Sequence, residues 1–155
     1  MRTSNAREVT LNTAMTDEPQ KLAGDWKLVS FFTEDVQTRQ RTNVYGEHPS
    51  GCIGISPAGR FFGLIAPDLQ KAPRTAEEQA AAYRGMLAYT GKVRLDGEKF
   101  IVEVDVAWNK DWVGTEQVRF WRLEGDKLRI TSAPIPNPNV AGSMIVGTLV
   151  WQREH

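Results

Sequence analysis

The stretch that decides the fold is LAYTGKVRLDGEKFIVEVDVA, residues 87–107. Apolar and polar side chains alternate through Leu87–Leu95 and again through Lys99–Ala107, the pattern of two β-strands that each bury one face. Between them, Asp96-Gly97 is a pair that favours a tight hairpin turn. The stretch therefore predicts an antiparallel hairpin.

The same alternation predicts further strands on both sides of this hairpin. With its two strands, the predicted set is Asp25–Thr33, Gly51–Ser56, Arg60–Ala66, Leu87–Leu95, Lys99–Ala107, Gly114–Leu123, Lys127–Ser132 and Ser143–Arg153. Turn sequences such as Pro57-Ala-Gly59 join neighbours along the chain. Short strands linked by hairpins favour a closed barrel over an open sheet, so we predict a mostly β fold with an eight-stranded antiparallel barrel.

One α-helix is predicted between the third and fourth of these strands. Thr75-Ala-Glu-Glu78 forms a capping box, in which the Thr75 hydroxyl and the Glu78 carboxylate each accept from a free backbone N–H of the first turn. Ala80–Ala82 has high helix propensity, and Gly85 can end the helix.

Length and charge limit the domain organisation and the partners. The chain has 155 residues, which fits one barrel domain over residues 21–155 after a polar, aperiodic segment, residues 1–20, that we expect to be a flexible tail. Lys plus Arg is 19 and Asp plus Glu is 19, so the net charge is near zero. This balance argues against nucleic acid and against an anionic membrane surface as partners.

Cysteine and histidine content bears on metal binding and on the compartment. Cys52 is the single cysteine, there are two histidines, and no zinc-ligand spacing is present, so we expect no metal and no disulfide. We expect Cys52 to be a small buried residue, and we expect a reducing, cytoplasmic location. The chain contains no run of about 18 apolar residues, so no membrane span is predicted. Residues 1–20 lack the apolar centre of a secretory signal.

Alternation also assigns faces to the strands of the hairpin. The residues predicted to point inward are Tyr89, Val93, Val102, Val104 and Val106. On the other face, Lys92 and Arg94 can pair with Glu103 and Asp105. The two carboxylates are either an acid–base pair or part of a solvated ladder of ion pairs. Because their face of the strand is predicted to be exposed to solvent, the ladder is favoured.

The first and last strands each have one recognisable apolar face. Trp26, Leu28, Ser30 and Phe32 share a face in the first strand, and Leu149, Trp151 and Arg153 share one in the last. In the strand that ends at Leu123 both faces are mixed, so alternation alone does not choose between them.

Gly24-Asp25-Trp26 at the head of the first strand resembles the signature of lipocalins and fatty-acid-binding proteins. More widely, the chain resembles the bacterial and fungal lipocalin-like domain family. The matching pieces are Leu22–Ser30, Tyr45-Gly46, Tyr89-Thr90-Gly91, Trp112–Arg119 and Leu149–Arg153. The resemblance implies a calycin-type barrel in which Trp26 closes the floor and a late arginine, here Arg153, lies over it.

The resemblance also bears on the site. It favours the face that carries Gln117, Arg119 and Trp121 as the inner one. Family members often carry a histidine where this chain has Val102, so any catalysis that depends on that histidine is lost here. A shared barrel carries many unrelated activities, so the resemblance leaves the function open.

Arg119 is the first candidate for a binding or catalytic residue. A charge inside an apolar lumen must be compensated, because burying it unpaired costs several kcal/mol. A ligand carboxylate, phenolate or enolate could supply that compensation through paired N–H donors. The alternatives within the protein are packing on Trp26 and pairing with Glu116 or Asp111.

The other candidates surround Arg119 in the predicted barrel. Gln117 could orient a ligand, Tyr89 and Tyr45 could donate hydrogen bonds or protons, and His48 could be a base at the barrel mouth. Trp108, Trp112 and Trp121 could form an aromatic wall or lid, with Val102 and Val104 as apolar lining. Each also has a purely structural interpretation, as a core, rim or strand residue.

Three hypotheses for the function follow from these residues. The first is binding of a small hydrophobic or amphipathic molecule with an acidic or carbonyl group. The second is a cofactor-independent isomerase, cyclase or hydratase-like enzyme acting on a secondary metabolite, and the third is a filled barrel with a structural role. A lumen well below about 300 Å³ favours the third, whereas an open cavity with Arg119 on its wall and no carboxylate in reach favours a ligand site. The oligomeric state stays open, and a homodimer is compatible with the sequence.

Overall fold

The computed structural model describes residues 18–69 and 71–155. The strands are β1 Gly24–Asp35, β2 Arg41–Thr42, β3 Ser50–Ile55, β4 Arg60–Ala66, β5 Leu87–Asp96, β6 Lys99–Ala107, β7 Glu116–Glu124, β8 Lys127–Thr131, β9 Ile135–Pro136 and β10 Met144–Arg153. The helices are α1 Glu18–Lys21, α2 Ala76–Gly85 and a 3₁₀ helix at Lys110–Trp112.

Eight of these strands form a closed antiparallel ring. Neighbours in the order β1, β3, β4, β5, β6, β7, β8 and β10 are hydrogen-bonded, and β10 pairs again with β1. The two-residue strands β2 and β9 pair with β1 and β10 outside the ring. The predicted mostly β fold and eight-stranded barrel are confirmed.

The helix α2 has the predicted capping box. Thr75 accepts from the N–H of Glu78, and the Glu78 carboxylate accepts from the N–H of Thr75. The helix lies between β4 and β5 instead of between the third and fourth strands of the chain. The difference arises because β2, in a segment for which the sequence predicts a loop, adds one strand to the count.

The floor of the barrel consists of Leu22, Trp26 and Arg153. Leu22 and Trp26 are fully buried, and the Trp26 indole N–H donates to the Leu22 carbonyl at 3.0 Å. The Arg153 guanidinium lies 4.1 Å from the centre of the Trp26 ring and donates to the carbonyls of Ala23 and Lys21. Arg153 is therefore the floor arginine, as expected. Of the expected tail, residues 1–17 lie outside the described residues, and 18–20 belong to α1.

The core comes from alternate positions of the ring strands. The buried residues that form it are Leu22, Trp26, Leu28, Ile53, Ile55, Phe61, Ile65, Val93, Phe100, Val102, Val104, Leu128, Ile130 and Trp151. Because Ile53 and Ile55 take the inner face of β3, Cys52 lies on the outer face and is exposed. The expectation that Cys52 is buried is wrong.

A β-bulge interrupts the alternation of β6. Thr90 faces Val106 and Gly91 faces Val104, so Asp105 is an extra residue with no partner of its own in the ladder. An extra residue reverses the faces beyond it. Val106, which we predicted to point inward, is therefore 63% exposed, and Ala107 packs against the core instead.

A second bulge interrupts β1. Leu28 faces Trp151 and Ser30 faces Val150, which leaves Val29 as the extra residue. The predicted common face of Trp26, Leu28, Ser30 and Phe32 is broken at this point. Phe31 packs against the core cluster, whereas Phe32 is covered by the Arg41 guanidinium, 4.4 Å from the ring centre.

Of the ion pairs predicted on the outer face, the one between Arg94 and Glu103 is present, and the other partners differ. Arg94 pairs with Glu103 at 3.5 Å and also with Glu116 at 2.6 Å. Asp105 pairs with Arg60 on β4, and among the described residues Lys92 makes no ion pair. The carboxylates on this face are partly exposed and matched to arginines, which favours the ladder over an acid–base pair.

The bulge in β6 depends on the absence of a side chain at Gly91. A Cβ at Gly91 would lie 2.1 Å from the Glu103 carbonyl oxygen, whereas a Cβ at Gly147 would lie 3.6 Å from its nearest atoms. We expect Gly91→Ala to lower the free energy of unfolding by about 3 kcal/mol or more, and Gly147→Ala to change it by about 1 kcal/mol at most. Urea denaturation measures both, and equal effects would contradict a steric requirement at the bulge.

The floor contacts of Arg153 predict a second stability change. Arg153→Ala removes the contact with Trp26 and two hydrogen bonds to carbonyls, and we expect a loss of about 2 kcal/mol in urea denaturation. Arg153→Lys keeps a charge but not the planar fork, so it should restore only part of the loss. Arg122→Ala, on the exposed face of β7, is the control and should stay within about 0.5 kcal/mol of wild type. A loss as large at Arg122 would argue against a specific role for the floor.

Candidate functional site

The interior of the barrel contains a cavity of about 50 Å³. It lies between the floor and the mouth, which is the opposite end of the ring, where β1 ends at Asp35 and β5 begins at Leu87. The cavity is lined by Ile53, Phe61, Gly63, Ile65, Leu87, Tyr89, Phe100, Trp112, Arg119, Ile130, Leu149 and Trp151. Apolar side chains make up most of this wall, and Arg119 is the one charged residue that the described part of the chain contributes to it.

The strand β7 directs Arg119 into this cavity. Gln117, Arg119 and Trp121 are partly buried, whereas Val118 and Phe120 between them are exposed on the outer face. The inner face of β7 is therefore the one that the family resemblance favours.

The guanidinium of Arg119 is held by its own strand. One terminal nitrogen donates to the Val118 carbonyl at 2.8 Å, and the other donates to Oε1 of Gln117 at 3.3 Å. Gln117 in turn donates through Nε2 to the Thr115 hydroxyl at 3.0 Å. Gln117 therefore positions the arginine and does not itself line the cavity.

The alternatives for neutralising Arg119 within the protein are not realised. Trp26 is covered by Arg153, and Glu116 pairs with Arg94. Among residues 18–69 and 71–155, no carboxylate, Asp111 included, lies within ion-pair distance of the Arg119 guanidinium. The positive charge faces the lumen without a counter-ion from the part of the chain that the structure describes.

Tyr89 shares the cavity wall with Arg119. Its ring packs against Phe61 and Trp112, with centroids 5.1 and 5.3 Å away. Burial raises the pKa of the Tyr89 phenol, and the charge of Arg119 opposes that rise. The net shift is upward, so the phenol is protonated at neutral pH and can donate a hydrogen bond.

Trp151 is a cavity residue that sequence reasoning did not single out. Its ring lines the cavity, and its indole nitrogen is buried without a hydrogen-bond partner in the described part of the chain. Alternation places Trp151 on the inner face, but a missing hydrogen bond depends on the strands around it. From the sequence it could be predicted only that a buried indole N–H at this position would need an acceptor.

Of the three tryptophans predicted as an aromatic wall, Trp112 alone lines the cavity. Trp108 packs on Trp112 at 5.0 Å and exchanges two hydrogen bonds with Tyr83 of α2, which ties the loop after β6 to the helix. Trp121 lies toward the floor, where its indole donates to the Gly97 carbonyl at 3.0 Å.

The remaining candidates lie away from the cavity wall. Tyr45 packs edge-on against Phe31 at 4.8 Å, and burial raises the pKa of its phenol. His48 is exposed in the loop before β3. Val102 and Val104 are buried in the core without lining the cavity. The structure thus brings Arg119, Tyr89 and Trp112 together on the cavity wall, with Gln117 bonded to Arg119 behind it, and places the other predicted site residues away from that wall.

With this geometry in view, the chain can be compared with known proteins. The model of a family described as a lipocalin-like domain matches residues 23–154. The chain belongs to the lipocalin-like domain family. No curated protein matches it. Membership accounts for the barrel and its closed floor, while the residues of this lumen must carry any conclusion about function.

The size and charge of the cavity favour different functions. Pockets for drug-sized ligands occupy roughly 300–1,000 Å³, and the lumen here offers about 50 Å³. That volume favours a filled barrel, whereas the unneutralised Arg119 favours a ligand. The small volume and the unneutralised charge are compatible with each other only if the ligand group buried beside Arg119 is small.

Two further observations concern metals and membranes. In residues 18–69 and 71–155, no group of three or more His, Cys, Asp and Glu side chains is placed to hold a metal ion. Over the same residues, no helix has the length and apolar character needed to cross a membrane.

A polar network at the mouth holds the end of β1 near the start of β10. The Asp35 carboxylate accepts from the Ser143 hydroxyl and from the backbone N–H groups of Gln37 and Thr38, both at 2.8 Å. These bonds, the one from Ser143 foremost, lower the pKa of Asp35 to about 2. The hydrogen bonds that this carboxylate accepts hold the mouth of the barrel together.

This network predicts a pH dependence of stability. A carboxyl with a pKa of about 2 in the folded state and 3.8 when unperturbed stabilises the fold above about pH 4, and the contribution is lost as the pH falls toward 2. We expect Asp35→Asn to be less stable than wild type at pH 7 and to match it near pH 2, by thermal unfolding across that range. Asp96→Asn, in the β5–β6 turn, is the control and should follow wild type at every pH. A constant gap between Asp35→Asn and wild type would contradict this role of the carboxylate.

Proposed function

We propose that the barrel binds a small, mostly apolar molecule that brings one acidic or carbonyl group to Arg119. The observation that supports this is a guanidinium on the wall of an apolar cavity with no carboxylate in reach among the described residues. Such a charge is costly to bury, and a ligand anion removes that cost through charge-assisted hydrogen bonds.

Arg119 retains donors for such a ligand. A guanidinium has five N–H donors, of which Val118 and Gln117 engage one each. Those two contacts come from the same strand, so they fix the orientation of the plane and leave further N–H groups to donate. A preorganised fork is the arrangement that binds a carboxylate well.

The cavity limits what part of the ligand is buried. About 50 Å³ admits an acidic head group and little more. In this proposal the apolar remainder extends toward the mouth along Leu87 and Trp112, and a bulkier ligand requires Trp112 to move. The Trp112 loop is held to α2 mainly through Trp108 and Tyr83, a small number of contacts.

A second candidate is a cofactor-independent isomerase, cyclase or hydratase-like enzyme in the same cavity. The observation in its favour is that Tyr89, protonated at neutral pH, lines the same cavity as Arg119, whose charge opposes the rise of the Tyr89 pKa. Arg119 would stabilise an oxyanion and Tyr89 would donate the proton. Tyr45 and His48 do not line the cavity and take no part in this version.

The binding proposal predicts the effect of removing the guanidinium. We expect a co-purified acid in native mass spectrometry of the full chain, or saturable quenching of tryptophan fluorescence by hexanoate, benzoate or cinnamate. Arg119→Ala should weaken binding of the acid by about 10- to 100-fold, the range for a hydrogen bond to a charged group.

The matched control is Arg129→Ala, which removes an arginine from the outer face of β8 and should leave affinity unchanged. A native mass equal to that of the chain, together with no binding of any of the three acids, would favour the filled barrel over both ligand hypotheses. If a substrate is found, loss of turnover with retained binding in Tyr89→Phe identifies the enzyme.

A further inference from the structure

Trp151, which lines the same cavity, carries an unsatisfied hydrogen-bond donor. Its side chain is 2% exposed, and its ring forms part of the cavity wall. The indole N–H has no acceptor among the described residues, although nearly all buried polar groups in proteins have one.

The surroundings of Trp151 explain why no acceptor from residues 18–69 and 71–155 meets its N–H. In the ladder, Trp151 of β10 lies between Leu28 of β1 and Leu128 of β8. Both neighbours are buried leucines, and the backbone groups of these strands are paired with one another. Trp26, Trp108 and Trp121 each donate an indole hydrogen bond to a carbonyl, and the side chain of Trp112 is only partly buried. Among the described residues, Trp151 is therefore the tryptophan whose indole N–H is both buried and unsatisfied.

The polar groups of the cavity wall share one property. Arg119 and Trp151 can only donate hydrogen bonds, and Tyr89 can donate one. The remaining wall residues are apolar side chains, Gly63 and Trp112, whose indole can likewise only donate. A group with acceptors and no donors satisfies this set, whereas an ammonium or amide group brings donors that meet no acceptor side chain except the Tyr89 oxygen.

We infer that Trp151 is a second ligand-binding residue and that the buried head group is a carboxylate, with one oxygen on Arg119 and the other on the Trp151 indole. The inference rests on the proposed function and deepens it, because it excludes basic ligands and places the anion across the lumen between β7 and β10. A carboxylate is also compact enough for the cavity described above.

The indole resonances of the ¹⁵N-labelled full chain test this directly. With the tryptophan side chains assigned by triple-resonance spectra, hexanoate is titrated in and hexylammonium serves as the matched cation. We expect hexanoate to move the Trp151 indole N–H downfield and saturably, with the affinity seen by fluorescence. Trp26 and Trp121 already donate to carbonyls, so their resonances should stay in place. Hexylammonium should move none of the three.

A substitution at Trp151 measures how much the indole N–H contributes to the affinity for hexanoate. Trp151→Phe keeps an aromatic ring and removes the N–H, and we expect hexanoate to bind about tenfold more weakly. Trp121→Phe is the control, since Trp121 lies near the floor, and it should bind hexanoate as wild type does. If Trp151→Phe does not fold, the resonance of Trp151 in the unmodified chain decides the question alone.

The outcomes separate this inference from the proposed function. Hexanoate binding that depends on Arg119 while the Trp151 resonance stays fixed overturns the inference and leaves the proposed function standing. A fixed Trp151 resonance is also the result expected if a trapped water satisfies the indole. No binding of hexanoate, benzoate or cinnamate overturns both, and binding of hexylammonium at the lumen overturns the assignment of the head group.

Discussion

The pairing of β1 with β10 is the constraint on which the rest of the structure depends. β1 bonds to β3 along one edge and to β10 along the other, so the sheet closes on itself and leaves an interior. Without that closure Arg119 would lie on the face of an open sheet instead of on the wall of a cavity. The closed ring turns an ordinary strand arginine into a charge that the lumen must accommodate.

The interior holds two opposed requirements. Close packing of Phe61, Phe100 and Trp151 stabilises the barrel and leaves about 50 Å³ of empty space. Arg119 and the unsatisfied indole of Trp151 are both unfavourable in such a core unless something with acceptors is present. A small anionic head group reconciles the two, because it satisfies the donors and needs little room.

Much of this structure could be predicted from the sequence, because it depends on local pattern. Alternation places the strands, the capping box starts α2, and the family resemblance selects the inner face of β7. The two bulges could not be predicted, since an extra residue such as Val29 or Asp105 shows only when the partner strand is aligned. The errors at Val106 and Phe32 follow from that. Which candidates meet in space, and that His48 does not, depends on ring closure and on loop paths that periodicity does not describe.

The register of the closing pair has a consequence for chain order. Trp26 lies directly beside Arg153, so the start of the first ring strand and the end of the last are neighbours in space. A linker that keeps Leu22 in the floor could join them, and the chain could be reopened at the tight Asp96-Gly97 turn without removing a ladder contact. The ring specifies which strands are adjacent and leaves the point at which synthesis begins arbitrary, so the barrel is suited to circular permutation.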